Sequence, residues 1–301
     1  MGNQHNHSHG HSHGHTTANY NRAFAVGIGL NLLFVGVEIF YGLLANSSAL
    51  LADAGHNASD VLGLVFAWFA MWVAAKKPKG RYTFGYKKTT ILISVLNAVL
   101  LFGAVGAIGW DAAGKLSNPD PVAGTQVIIV AIIGVVINTI TALMFIKGQK
   151  DDLNIKGAFL HMAADAAVSL GVVIAGVIIV NTGWNWVDPV MSFIIIAVIM
   201  WGTWRLFIDS VNLALDAVPK RVDADKVREY ILSKENVVDM HDFHIWAMST
   251  TQIALTAHIV VKEIPDNEFL SLLQSEINKE YKISHTTFQI EKVGCTCIVH
   301  C

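Results

Sequence analysis

His56 and Asp60 stand four residues apart, and so do His161 and Asp165. On a helix that spacing puts both side chains on one face, with Cβ atoms about 5–6 Å apart, so that two ligands can reach one ion. Zinc proteases place two histidines on a helical face by the same geometry. Two such pairs offer two imidazoles and two carboxylates, a four-coordinate set of two nitrogens and two oxygens. Zinc takes four ligands tetrahedrally through His nitrogen and Asp oxygen. An all-carboxylate site would lean toward magnesium, calcium or manganese, and a thiolate site toward copper(I). The set favours zinc, with cobalt(II) and cadmium as competitors. An internal hydrogen bond accounts for a single His–Asp pair, but less well for two matched pairs. A bis-histidine haem site is disfavoured because each Asp would crowd the porphyrin face.

The elements that must position these groups are apolar. The 301-residue chain is 53% hydrophobic and 15% charged, with a mean hydropathy of +0.48. Soluble domains carry about 25% charged residues, so a single water-soluble domain is excluded. Half of the charged side chains fall after residue 212, as expected of a membrane portion followed by a soluble one. Six apolar stretches are long enough to cross a bilayer core, which needs roughly 20 helical residues: Arg22–Ala45, Ala49–Ala75, Ile91–Ala113, Val122–Ile146, Ile155–Val180 and Val187–Ile208. The two His–Asp pairs lie in the second and fifth. Carrying Asp60 and Asp165 into hydrocarbon costs on the order of 5–7 kcal/mol on insertion scales, and a shared cation offsets that by neutralising the carboxylates. The segments His56–Asp60 and His161–Asp165 also form an internal echo. Repeated units are common in transporters, with the substrate site where the repeats meet.

Orientation follows from the basic residues. Lys76, Lys77, Lys79, Arg81, Lys87 and Lys88 lie between the second and third stretches, and Lys147, Lys150 and Lys156 between the fourth and fifth. The positive-inside rule then puts both termini in the cytoplasm. No removable signal peptide is expected. A net charge of −2 gives no footprint for nucleic acid, and no catalytic arrangement marks an enzyme.

Residues 1–20 are polar and are expected to be a disordered tail. Its alternating His5, His7, His9, His11, His13 and His15 suit a loose metal-collecting tail better than an expression tag, which is usually an unbroken run. Residues 21–212 form the expected membrane domain and 213–301 a cytoplasmic one. There the pattern reads helix-strand-strand-helix-strand. Asp223 serves as the first helix's N-cap, strands run Val237–Met248, Gln252–Val261 and Thr286–Val293, and a second helix runs Asn267–Tyr281. Antiparallel pairing is expected, giving a two-layer α+β sandwich. His241 and His258 fall on adjacent strands. His285 and Glu291 share parity on the third and so one face, whereas His244 has the opposite parity to His241 and is read as structural. Cys295, Cys297 and Cys301, the three cysteines, cluster with His300 at the C-terminus. Cytoplasmic thiols stay reduced, so zinc binding is favoured over a disulfide. Glu38 and Asp53 are read as packing or access residues, with Asp53 lining the approach to His56. Asn31, Asn97 and Asn138 are assigned no role.

Further motifs accompany the two pairs: Asp53-Ala54-Gly55-His56, Arg81-Tyr82-Thr83-Phe84-Gly85-Tyr86, Asn97-Ala98-Val99-Leu100-Leu101-Phe102-Gly103 and His241-Asp242-Phe243-His244-Ile245-Trp246. From about Asn21 onward the chain resembles the cation diffusion facilitators, most closely their zinc-exporting bacterial members and the vesicular zinc transporters. The resemblance implies an all-α six-helix transmembrane domain with a metallochaperone-like cytoplasmic domain that dimerises. It implies a homodimeric zinc/proton antiporter of the bacterial inner membrane, with the transport site at His56, Asp60, His161 and Asp165. It maps a regulatory zinc set onto His241, His258 and Glu291, with His285 as a further contributor and the terminal Cys295 and Cys297 as zinc ligands. Some relatives hold a second metal through a His in the loop between the second and third spans. Here Lys76–Lys88 has no His, Cys or acid, so that site is expected to be absent. The competing class is a membrane zinc sensor signalling through the soluble domain without flux. It would need no costly groups in the spans. A passive channel is disfavoured because tight four-ligand binding slows exit.

Overall fold

The structure, a computed structural model, describes residues 17–146 and 153–294. Six long helices come first: α1 (Thr17–Leu44), α2 (Ser48–Ala74), α3 (Thr89–Ser117), α4 (Gly124–Phe145), α5 (Leu153–Thr182) and α6 (Val187–Ala214). Each overlaps one expected stretch, and the ends move by a few residues, most at the end of α6. Among the described residues, five segments are long and apolar enough to cross a membrane: α2, α3, α4, Phe159–Thr182 of α5, and α6. Of α1 the stretch Gly29–Leu44 falls among the side chains described, and it is apolar. Large apolar side chains such as Leu33, Trp68, Trp110 and Trp201 stand exposed on these helices, as an apolar solvent permits. The protein is an integral membrane protein.

Residues 1–61 with 101–201 form one compact unit, and residues 62–100 with 202–301 form another. In the first, α4 packs along α5 and α1 against α4. Gly176 of α5 makes that approach possible: a Cβ there would meet Ile128 Cγ1 at 2.7 Å. Phe34, Leu50, Val105, Val127, Val130, Val172 and Ile195 fill the core.

The start of α2 is fastened from α6. An α-helix leaves its first four N–H groups without intrahelical acceptors. Here Ser47 Oγ accepts from Leu50 N (3.1 Å), and Asp188 Oδ2 accepts from Ser48 N (2.7 Å) and Ala49 N (3.3 Å). Asp188 Oδ1 also accepts from Ser47 Oγ. Asp188 is fully buried, and its charge complements the positive end of the helix dipole.

The second unit contains α7 (Ala224–Leu232), β1 (Val237–Ala247), β2 (Ile253–Val261), α8 (Asn267–Tyr281) and β3 (His285–Lys292). Asp223 caps α7, accepting from Lys226 N, and Asp266 caps α8, accepting from Phe269 N. The sheet order is β1-β2-β3. The expectation of antiparallel pairing holds for β1 and β2 but not for β2 and β3, which run parallel. The reason is the connection: α8 carries the chain back along the sheet, so β3 starts at the same end as β2, as a strand-helix-strand crossover requires. Ile253, Leu255, Ile259 and Val261 of β2 share a core with Val227 and Ile231 of α7 and Leu273 and Ile277 of α8. The opposite face of β2, with Thr256, His258 and Val260, is partly exposed.

Candidate metal centres

In the first unit α2 supplies His56 and Asp60, and α5 supplies His161 and Asp165. The four side chains meet, and the shorter contacts run between helices. His56 Nε2 is 3.2 Å from Asp165 Oδ1 and His161 Nε2 is 3.0 Å from Asp60 Oδ2. The pairs within each helix are longer, 4.0 Å for His56–Asp60 and 3.7 Å for His161–Asp165. The rings are edge to face, with centroids 6.0 Å apart. One ligand atom from each of His56, Asp60 and Asp165 lies within 4.8 Å of the others, and His161 closes the set through both carboxylates. Four ligands around zinc at about 2.0–2.2 Å stand about 3.3–3.6 Å from one another along the edges of a tetrahedron. The four nitrogen–oxygen separations, 3.0 to 4.0 Å, bracket that edge. Burial is uneven: Asp165 is 1% exposed, and Asp60 is 35% exposed.

Behind this set lie Glu38 and Asp53, both fully buried. Asn57 Nδ2 donates to Glu38 Oε2 (3.0 Å) and Ser169 Oγ to Asp53 Oδ2 (2.8 Å). Glu38 therefore pairs between helices, and Asp53 is held by α5. Asn31 donates to the sulfur of Met162 at 3.9 Å.

The second unit gathers a separate group on the partly exposed sheet face. His241 Nε2 is 3.2 Å from Glu291 Oε2, and His258 Nδ1 is 2.9 Å from Glu291 Oε1. The His241 and His258 rings lie 5.0 Å apart, as follows from their pairing across the ladder. Gln289 Nε2 donates to Glu291 Oε1 at 2.9 Å. Glu291 is 6% exposed, and the two imidazoles cover it.

Three corrections follow from one irregularity and one distance. Between His241 and His244 the register with β2 shifts: His241 faces His258, while His244 faces Thr256. Three residues of β1 thus match two of β2, a β-bulge, and Asp242 takes φ +47° there, which Asp tolerates better than most residues. The bulge brings Asp242 into the group, with Oδ2 3.7 Å from His258 Nδ1. His241, Asp242 and His258 each offer a ligand atom within 4.8 Å of the others. Simple alternation missed Asp242; its place between two histidines in His241-Asp242-Phe243-His244 was the available signal. The same bulge puts His244 on the face of His241 rather than opposite it. His285 shares the Glu291 face, but six residues away, about 20 Å along a strand. It stands instead edge-on to Phe84, with ring centroids 6.2 Å apart, and takes no part in the group. Cys295, Cys297, Cys301, His300 and the six tail histidines lie outside the described residues.

The profile described as the cation efflux transmembrane domain matches residues 24–213. The chain belongs to the cation diffusion facilitator family. Residues 219–293 match the family's cytoplasmic domain profile. The metal cation efflux system protein CzcD of Cupriavidus metallidurans is 35% identical over 276 residues, 91% of this chain and 87% of that protein. A cadmium, cobalt and zinc/H(+)-K(+) antiporter of Bacillus subtilis is 35% identical over 85% of this chain and 84% of its own. The zinc transporter ZitB of Yersinia pestis is 32% identical over 90% and 87%. A solved structure of the metal-bound C-terminal domain of CzcD is 33% identical, covers 23% of this chain and 99% of its own, and has a TM-score of 0.22. This facilitator is a membrane transporter of metal cations, in a family that serves efflux.

Proposed function

We propose that this facilitator exports zinc from the cytoplasm in exchange for protons, as a homodimer of six-span protomers in the bacterial inner membrane with both termini cytoplasmic. His56, Asp60, His161 and Asp165 hold the cargo. The observation that carries the reading is the convergence of two imidazoles and two carboxylates from α2 and α5, with nitrogen–oxygen separations of 3.0 to 4.0 Å. Two carboxylates balance the dication's charge inside the bilayer. Neutral imidazole binds metal, and protons compete for the same groups, so one site serves both partners of an exchange across alternating access. Relatives named for zinc and for cadmium and cobalt support a divalent cargo, and the two-nitrogen, two-oxygen set favours zinc among them.

The cytoplasmic group of His241, His258 and Glu291, joined by Asp242, binds zinc as a separate regulatory site, and Cys295 and Cys297 serve as further zinc ligands. A sensor without flux would need this group alone; the matched membrane pairs favour transport. The test is zinc flux into proteoliposomes under an imposed pH gradient, with Asp60→Ala and Asp165→Ala beside the native chain. Native flux should follow the gradient and both variants should abolish it. Flux that persists in the variants, or that ignores the gradient, overturns the reading.

A further inference from the structure

The first unit carries a second pair of ionisable groups that the four-group site does not use. Glu38 of α1 and Asp53 of α2 are both fully buried. Each has one oxygen satisfied, Glu38 Oε2 by Asn57 and Asp53 Oδ2 by Ser169. The other two oxygens, Glu38 Oε1 and Asp53 Oδ1, accept from no donor, and neither does the Oδ1 of Asn57, itself 2% exposed. The two carboxyl groups lie within each other's electrostatic reach. The charged and titratable neighbours that face them are His56 on α2 and Asp165 on α5, and α4 contains no titratable residue. Among the described residues no lysine or arginine pairs with either acid, and neither shares a hydrogen bond with the four site residues.

This is a pocket with acceptors in excess and no donor to match them. Leaving such groups bare costs several times what a typical hydrogen bond contributes. Two adjacent buried carboxylates do not both stay ionised. A single proton repairs both faults, turning one oxygen into a donor for the other and removing one charge. We propose that Glu38 and Asp53 form a proton-binding site that holds one proton between their facing oxygens and releases it when metal enters the neighbouring four-group site.

The linkage is built into the supports. Asn57, which holds Glu38, follows His56 directly on α2, and Ser169, which holds Asp53, lies one turn beyond Asp165 on α5. A dication among the four ligands stabilises a second negative charge on the pair. The O–H bond then breaks, both carboxyls become carboxylates, and the proton passes to cytoplasmic water as zinc arrives from that side. On release of zinc to the far side, the pair takes a proton back. This rests on the zinc/proton exchange proposed above and adds to the protons that compete at the metal ligands one held outside them.

The test is zinc titration calorimetry of the purified full chain in two buffers of different ionisation enthalpy, which yields protons released per zinc. Glu38→Gln and Asp53→Asn should each bind zinc while releasing about one proton fewer than the native chain, because neither retains a proton to give up. Protons released at the cytoplasmic group cancel in that difference. An unchanged count in both variants overturns the proposal. A native-chain measurement stands beside it in case a variant fails to fold: infrared difference spectra should show a protonated-carboxyl band lost when zinc is added. No such band, or one that persists with zinc bound, also overturns it, as does release that depends on added potassium rather than pH. His161→Ala separates the two readings. If it leaves zinc flux intact, the four-group site fails; if it abolishes flux while the pair variants keep the native count, only the proton site fails.

Discussion

Asp165→Asn should weaken zinc at the intramembrane site more than Asp60→Asn, although the two acids occupy matched places in the echo. Either substitution keeps an oxygen near the ion and removes one unit of charge. For a dication about 2.1 Å from that charge, Coulomb's law in bulk water gives about 4 kcal/mol, or about a thousandfold in affinity. The amide oxygen's own dipole returns part of that. Asp60 is 35% exposed, so water screens it and the loss should stay near a hundredfold. Asp165 is 1% exposed, where the effective dielectric is lower, and its loss should exceed a thousandfold. The assay is initial zinc uptake into proteoliposomes with an entrapped zinc indicator, scanned over zinc concentration at fixed pH gradient. The half-saturating concentration should rise in both variants and further for Asp165→Asn. An equal or reversed order would refute the reasoning from burial, and a shift under about threefold in either would remove the charge from the account.

Other expectations test the scaffold and the second group. Asp188→Ala leaves the buried N–H groups of Ser48 and Ala49 unmatched, so it should cost about 2–5 kcal/mol, read as a lower melting temperature in detergent; Asp188→Asn should restore part of it. Gly176→Val should destabilise by about 1–3 kcal/mol through overpacking against Ile128, with Gly176→Ala milder, and both should show in the same melts. Glu291→Gln and His258→Ala should each lower the number of zinc ions bound per chain at equilibrium dialysis, while His285→Ala leaves it unchanged.

Much of the fold was legible because bilayer helices announce themselves by composition and length. The pairs His56/Asp60 and His161/Asp165 were legible because ionisable groups in an apolar stretch are expensive. Their cross-helix contacts were not, since helical spacing speaks only about one helix at a time. The cytoplasmic cluster marks where periodicity fails. One bulge reversed the parity of His244 and recruited Asp242, and strand parity for His285 said nothing of its distance along the strand. The parallel pairing of β3 is a long-range consequence of the α8 crossover. Asp188 escaped notice because its role depends on where α2 begins, a partner 140 residues away in sequence.

The carboxylate of Asp188 pins α2 at its first turn. At about 1.5 Å of rise per residue, His56 hangs about 12 Å below that pin and Asp60 about 18 Å. A swing of about 10° about such a pivot carries the nearer side chain about 2 Å and the farther about 3 Å. On the proposed site, cargo gripped by a lever fixed at one end would be loosened unequally, and the outermost finger, the aspartate most open to water, would let go first.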